Sequence, residues 1–188
     1  MRSTMAAAAA TTLLLCGCAS MGAEAPPVAP QPTHAVTNPG RFYSGAWREI
    51  ARNPMKITQG CVAGVTRFQQ TGDGGLYDRD SCRMGDPVSG KEKVFAGPAI
   101  ILDPPASTKF RTDYKVFGLF HVSRTYWVLD NGEDEGGWFI VATPDFKNLS
   151  IFTRTPQPSA ALKARLVSRA QVLGYDTGKL EFPAQPPA

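Results

Sequence analysis

The spacing of short apolar segments constrains the fold of this chain more than any other feature. From Tyr43 onward, apolar or alternating runs are interrupted by Gly, Pro, Asp and Asn at intervals typical of an antiparallel meander. The chain contains 18 glycines and 16 prolines, a content that favours short strands and turns over long helices. We predict eight strands, at residues 46–52, 60–70, 75–84, 91–101, 108–117, 123–130, 137–143 and 148–153.

Two of the loops between these strands are distinctive. Residues 71–75 contain the glycines that a tight hairpin needs for positive φ. Residues 130–137 are acidic, but they lack the alternating ligands and closing Glu of an EF-hand calcium loop. We therefore predict a solvated hairpin at 130–137.

One helix is predicted after the strands. Ser159 is suited to cap residues 160–173, and Gly174 is suited to end them. The apolar face of this helix consists of Leu162, Leu166, Ala170 and Leu173. Such a stripe predicts a packing face rather than a partner site. Leu180 to Phe182 is predicted to add a short edge strand.

Together these elements predict an all-β fold, an eight-stranded antiparallel up-and-down barrel with one C-terminal helix on its outside. Closure of a barrel removes both edges of a sheet, and eight strands can enclose one small ligand.

Composition excludes several classes of function. The 188 residues are 43% hydrophobic and 19% charged, as in an ordinary single domain. The net charge of +4 includes no basic stripe, so no nucleic-acid partner is predicted. With only two histidines and four cysteines, we predict no metal site and no cofactor.

The first residues predict export and lipid attachment. Residues 1–17 have a positive start at Arg2 and a short apolar run, as in a signal peptide. Leu15-Cys16-Gly17-Cys18 resembles the bacterial lipobox, which implies acylation of Cys18. Ala19, in place of Asp, implies retention at the outer membrane, with the domain facing the periplasm. The alternative is a plain signal peptide that is cut elsewhere.

The remaining chain divides by composition. Residues 18–40 are rich in proline and poor in apolar bulk, which predicts an extended tether with a solvated His34. Residues 41–183 are predicted to form the domain, and residues 184–188 a C-terminal tail.

Several sequence blocks follow one another along the domain. The first is Gly45-Ala46-Trp47-Arg48-Glu49-Ile50-Ala51-Arg52. The later blocks are Gln59-Gly60-Cys61-Val62, Tyr126-Trp127-Val128-Leu129-Asp130 and Phe152-Thr153-Arg154-Thr155-Pro156. In this order they resemble the lipocalin family, especially bacterial outer-membrane lipocalins related to apolipoprotein D. These blocks cover nearly the whole domain.

The resemblance implies a structural pair, Trp47 packed against Arg154, that closes one end of the barrel. Arg48 departs from the family, which usually has Tyr or Phe there. It touches either a pocket wall or the outer surface, so ligand preferences of relatives transfer less safely.

Cys61 and Cys82 lie on either side of the hairpin at residues 71–75, nearly opposite each other. Export to an oxidising compartment favours a disulfide between them. The alternative is a nucleophilic thiol, as in the lipocalin-fold prostaglandin isomerase.

Aromatic residues are numerous enough to line a ligand pocket, although strand alternation turns only about half of them inward. An inward Arg would neutralise a carboxylate or phosphate, but a surface position is equally compatible with the pattern. The ligand-binding candidates are Phe95, Phe110, Tyr114, Tyr126, Trp127, Phe139, Arg67 and Arg111.

No catalytic constellation is recognised, and no catalytic residue is predicted. His121 has no partner at a known spacing, and Asp78 and Asp80 are interpreted as part of a solvated strand face. We therefore expect a non-enzymatic lipocalin that binds a fatty acid or lysophospholipid, as a monomer or weak dimer. The alternatives are a lipocalin-fold enzyme acting on a lipid or carotenoid, and an envelope interaction protein with a filled barrel.

Overall fold

The computed structural model describes residues 27–116 and 120–187. The predicted signal peptide and the acylation site at Cys18 lie outside these residues. Eight antiparallel strands follow one another around a closed barrel, in which the last strand pairs with the first. The strands are β1 Gly45–Arg52, β2 Cys61–Gln70, β3 Leu76–Met84, β4 Glu92–Ile101, β5 Lys109–Val116, β6 Phe120–Gly132, β7 Trp138–Ala142 and β8 Leu149–Thr153.

The predicted fold class is therefore confirmed, and most strand ends agree within one or two residues. β6 is longer than predicted because it pairs with β5 at one end and with β7 at the other. A short helix, α1 Pro39–Phe42, precedes the barrel, and α2 Ala160–Val172 follows it. Single 3-10 turns lie at Lys56–Thr58, Asp134–Gly136 and Thr177–Lys179.

Helix α2 begins and packs as its sequence predicts. The Ser159 side chain accepts a hydrogen bond from the Leu162 N–H at 3.1 Å. Leu162, Leu166 and Ala170 are buried against outward-facing residues of the barrel wall. These wall residues include Ile50, Leu129, Ile140 and Ile151. Within the described residues, no helix is long and apolar enough to cross a membrane.

The acidic loop is not a free solvated hairpin. Asp130 is buried, and it accepts a hydrogen bond from Arg169 of α2 at 2.5 Å. Asp134 accepts from the Trp138 indole at 2.6 Å, and Glu135 accepts from both the N–H and the hydroxyl of Ser159. The acidic side chains therefore fasten the loop to the start and side of the helix.

The described part of the predicted tether is not a free spacer. Residues 27–40 lie along the barrel, where the N–H groups of Ala29, Thr33 and Val36 bond to barrel carbonyls at 2.8–3.0 Å. Ala29 and Val36 are buried, so two small apolar contacts and three hydrogen bonds fix a segment that lacks bulk. His34 stays partly exposed, although its Nε2 lies 3.1 Å from the Asn131 carbonyl.

The C-terminal segment also contacts the barrel. The predicted edge strand is reduced to one antiparallel bridge between Glu181 and Arg52. The predicted tail continues this contact: the Ala184 carbonyl accepts from Ala63 N–H at 2.8 Å, and Gln185 donates to the Glu49 carbonyl at 2.8 Å.

Candidate functional site

One end of the barrel is closed by aromatic packing. The Arg154 guanidinium lies 3.5 Å from the centre of the Trp47 ring, and the Trp47 indole donates to the Phe42 carbonyl at 2.9 Å. Phe42 and Trp47 both pack against Phe139 from inside the barrel. Ligand access must therefore come from the other end, which is bounded by the loops at 53–60, 85–91 and 143–148.

Between this closed end and the open end, the barrel encloses a cavity of about 570 Å³. Its walls are mainly apolar and aromatic, and they reach the loops of the open end, including Ile57 and Asn148. This size lies within the range typical of small-molecule sites. We call this space the barrel cavity.

Five of the eight predicted ligand-binding residues line the barrel cavity: Phe95, Phe110, Tyr114, Tyr126 and Phe139. They occupy inward positions on four strands. The alternation of strand side chains therefore places these aromatic rings along four adjacent strands, β4 to β7, which form half of the wall.

The other three predicted residues do not line the cavity. Trp127 follows the inward Tyr126, so it lies on the outer wall, where the Lys109 ammonium is 4.6 Å from its ring centre. Arg111 lies between the inward Phe110 and Thr112, and it also faces outward.

Arg67 is excluded by a bulge. The β2–β3 register shifts between Val62 and Val65, so Thr66 and Phe68 face inward and Arg67 is exposed outside. Arg48 lines the same outer groove as Arg67. The departure of Arg48 from the family pattern therefore changes the outer surface and not the pocket wall.

A polar cluster inside the cavity was missed by sequence reasoning. Asp78 and Asp80, interpreted as solvated, are inward residues of β3 that line the cavity, and Asp78 is only 1% exposed. Leu76 and Cys82 share their face of the strand. Because Leu76 and Cys82 are apolar and flank the two aspartates on this face, they were the signal in the sequence that the face points into the barrel.

Hydroxyl groups surround these two carboxylates. Thr112 donates to Asp78 Oδ2 at 2.8 Å, and Thr66 donates to Asp80 Oδ1 at 2.5 Å. The Tyr114 hydroxyl lies 2.5 Å from Asp80 Oδ2, 3.1 Å from Asp78 Oδ2 and 3.3 Å from the Tyr126 hydroxyl. We call these six residues the acid pair and its hydroxyls.

The environment favours the neutral form of each acidic group in this cluster. Burial raises the pKa of Asp78 well above its usual range, and the charge of Asp80 raises it further. Burial likewise raises the pKa of Asp80, and that of Tyr114 and Tyr126. The acid pair therefore holds a proton more readily than exposed carboxylates do.

A second buried carboxylate, Glu49, is paired. Arg52 donates to it at 2.7 Å and Ser150 at 2.8 Å. Burial still raises the pKa of Glu49, because the loss of water outweighs the nearby Arg52 charge. Gly64 makes room for this pair, since a Cβ there would lie 2.7 Å from the Glu49 carboxylate.

Besides Arg52, which is paired with Glu49, three basic side chains line the barrel cavity. They are Lys56, Lys93 and Arg124. Lys93 donates to the Ile57 carbonyl at 2.6 Å, and Arg124 is exposed. Arg124 is the inward arginine that sequence reasoning sought at Arg67 and Arg111. We call these three residues the basic mouth.

The predicted disulfide is confirmed, since Cys61 and Cys82 are bonded with their Cα atoms 5.4 Å apart. It joins β2 to β3 beside the barrel cavity. In the parts of the chain that the structure describes, no three His, Cys, Asp or Glu side chains are grouped as for a metal ion.

Sequence comparison places this barrel in a family. A family model described as a lipocalin-like domain matches residues 41–185. The chain belongs to the lipocalin-like family. The resemblance found in the first strand and in the blocks after it is thus confirmed.

Individual lipocalin relatives match over nearly the full chain. Outer membrane lipoprotein Blc of Escherichia coli K12 is 27% identical over 187 residues, which cover 97% of this chain and 96% of that protein. The protein of the same name from Vibrio cholerae is 24% identical over 174 residues, covering 93% and 94%.

Solved lipocalin structures share the fold. Insecticyanin from the tobacco hornworm Manduca sexta aligns with a TM-score of 0.65 and 19% identity over 86% of this chain and 88% of that one. Lobster apocrustacyanin A1 aligns with a TM-score of 0.55 and 13% identity, covering 85% and 92%.

Proposed function

We propose that this lipocalin is anchored to the outer membrane, faces the periplasm, and reversibly binds an anionic amphiphile, a fatty acid or a lysophospholipid. The observation that carries the proposal is the barrel cavity of about 570 Å³, whose apolar and aromatic walls suit an acyl chain. Burial of each methylene group contributes about 0.8 kcal/mol. Binding of this kind needs neither a cofactor nor turnover.

The basic mouth supports an anionic head group. Lys93 and Arg124 line the cavity near its opening, where a carboxylate or phosphate keeps contact with water. Charge-assisted hydrogen bonds to such a group are shorter and stronger than neutral ones. The acyl chain is then directed toward Phe110 and Phe139 at the closed end.

Ligand identity is tested by mass spectrometry of lipids that copurify with the protein, followed by displacement of a fluorescent fatty acid. We expect saturable binding of one ligand per chain. A protein that carries no lipid and does not bind the fluorescent probe would contradict the proposal.

Membrane attachment is supported by the lipobox at Leu15 to Cys18 and by the name of the Escherichia coli relative, whose match spans nearly the whole chain. We expect labelled palmitate to be incorporated into the protein, and Cys18→Ser to abolish it. Cys16→Ser is the matched control and should leave labelling intact. Labelling of the Cys18→Ser variant would disprove acylation at this residue.

A lipocalin-fold enzyme is the second candidate, because one of its requirements is met. The acid pair, Asp78 and Asp80, converges in the cavity, whereas both thiols of Cys61 and Cys82 are consumed in the disulfide. Incubation with the copurified lipid and analysis of products distinguishes the two functions. Unchanged lipid after long incubation favours binding alone.

The third candidate is an interaction protein whose barrel is filled by side chains. The barrel cavity disfavours this candidate. We propose a monomer or weak dimer, and light scattering of the purified protein at increasing concentration tests it. A stable higher oligomer would contradict it.

A further inference from the structure

One oxygen of the acid pair has no hydrogen-bond partner among the described residues, and it belongs to a residue that lines the barrel cavity. Asp78 Oδ2 and both oxygens of Asp80 have hydroxyl partners, but Asp78 Oδ1 has no partner among the described residues. Asp78 lines the cavity and is only 1% exposed. A buried carboxylate oxygen without a partner destabilises the folded protein.

The hydroxyls around the pair cannot fill this position. Tyr114 has one proton to donate, and its nearest acceptor is Asp80 Oδ2 at 2.5 Å. Thr112 already donates to the other oxygen of Asp78, and Thr66 donates to Asp80. A group that satisfies Asp78 Oδ1 must therefore come from outside the acid pair and its hydroxyls, and the barrel cavity is the space that Asp78 lines.

The pair lies deeper in the barrel than Lys93 of the basic mouth. Asp80 is the register partner of Phe95, which is two residues deeper in β4 than Lys93. Two residues of a strand span roughly 7 Å. A ligand whose anionic head contacts Lys93 thus passes its chain, and not its head, beside Asp80 and Asp78.

We infer that the barrel cavity selects anionic amphiphiles that carry a hydroxyl group along the acyl chain, and that Asp78 is the residue that recognises this hydroxyl. The inference rests on the proposed function. A hydroxyl both donates and accepts, so it satisfies Asp78 Oδ1 whether that oxygen is charged or protonated. The surrounding rings hold the flanking methylene groups.

An ammonium group is the competing occupant, and the charge distribution disfavours it. It would have to enter a cavity that is also lined by the positively charged Lys56, Lys93 and Arg124. It also only donates hydrogen bonds, so a protonated Asp78 would offer it no acceptor at that oxygen.

The test compares stearate, a set of hydroxystearates that differ in hydroxyl position, and octadecylamine. The 188-residue chain is expressed, purified and placed in lipid nanodiscs, with empty nanodiscs as the control for partitioning. Equilibrium dialysis of labelled ligands measures each affinity. We expect one hydroxyl position to bind about 5- to 10-fold more tightly than stearate, as for one well-placed buried hydrogen bond.

Substitutions identify the residue responsible. Asp78→Val should abolish the preference for the hydroxylated acid. In this variant, the ratio of the affinity for the hydroxystearate to the affinity for stearate should fall to about one. Asp113→Val, on the outer face of β5, is the matched control and should keep the preference. The ligand series on the unmodified protein decides the question even if Asp78→Val does not fold.

The outcomes separate this inference from the proposed function. Stearate binding with no preference for any hydroxyl position overturns the inference and leaves the proposed function standing. Tighter binding of octadecylamine than of every hydroxystearate overturns it in favour of a cation site. Absence of binding by any of the ligands overturns both proposals.

Discussion

Arg154 stacks on Trp47, with the guanidinium carbon 3.5 Å from the ring centre, while the same guanidinium donates to the carbonyls of Ser44 at 2.8 Å and Arg41 at 2.7 Å. One side chain therefore joins the end of β8 to the segment that enters β1. Because the ring packs on Phe139 inside the barrel, this contact fixes the floor of the barrel cavity.

Replacement of Arg154 by Lys should lower the free energy of unfolding by about 2 kcal/mol, since Lys cannot combine stacking with several directed hydrogen bonds. Urea unfolding measures the change. Arg67→Lys is the matched control, because Arg67 is exposed on the outer groove, and it should stay within about 0.5 kcal/mol of the unmodified protein. Equal effects of the two substitutions would show that the Trp47 contact is not structural.

The disulfide between Cys61 and Cys82 closes a loop with a sequence separation of 21. Replacing both residues with Ser should lower the free energy of unfolding by about 3 kcal/mol, through the added freedom of the unfolded chain. Alkylation of the unreduced protein, followed by peptide mass analysis, should leave both cysteines unlabelled. Labelling of both would contradict the disulfide and strengthen the enzyme alternative.

The fold was predictable because turn residues and strand alternation are local signals. Gly, Pro and Asn mark the ends of the strands, and Ser159 and Gly174 mark those of α2. The segment at 27–40 was not predictable in the same way. Its position depends on hydrogen bonds from its backbone N–H groups to carbonyls that are distant in the sequence. The amino-acid composition of the segment does not reveal such bonds.

The candidate site was predicted only in part, since inward and outward faces depend on register. Tyr114 and Tyr126, which were named as candidates without an assigned face, line the barrel cavity. A bulge in β2 reversed the direction of Arg67, and a bulge is not visible in composition. Asp78 and Asp80 were misassigned because charged residues on a strand usually face water.

Asp78 should make stability depend on pH in an unusual direction. Its pKa is raised in the folded protein by burial first and by Asp80 second, so the folded state binds more protons than the unfolded state above the ordinary Asp pKa of about 3.9. The contribution of Asp78 to stability is therefore full below that pH and is lost as the pH rises toward the raised value.

Asp78→Asn removes this titration, so it should raise the free energy of unfolding at pH 7.5 by about 1 kcal/mol and change it less at pH 4.5. Urea unfolding across this pH range is the measurement. Asp113→Asn, on the outer face of β5, controls for loss of an ordinary surface charge and should not change the pH dependence. A destabilised Asp78→Asn protein at pH 7.5 would show that the hydrogen bonds of the carboxylate outweigh its burial.

The basic mouth should distinguish ligands by the charge of the head group. Arg124 lines the barrel cavity and is exposed at its outer part, without a hydrogen bond to any described carboxylate. Arg124→Gln should weaken stearate binding about 5-fold, which corresponds to about 1 kcal/mol for one partly solvated ion pair. Stearyl alcohol, which has the same chain and no charge, should bind both proteins equally.

Arg111→Gln provides the matched comparison, because Arg111 lies on the adjacent strand β5 but faces away from the cavity. It removes the same charge at a similar distance along the sheet, so it separates direct contact from the general attraction of a positive protein. Displacement of a fluorescent fatty acid at low and high salt measures all three proteins. If Arg111→Gln weakens stearate binding as much as Arg124→Gln does, the head group is not bound at the mouth, and the ligand must enter with its anionic end elsewhere.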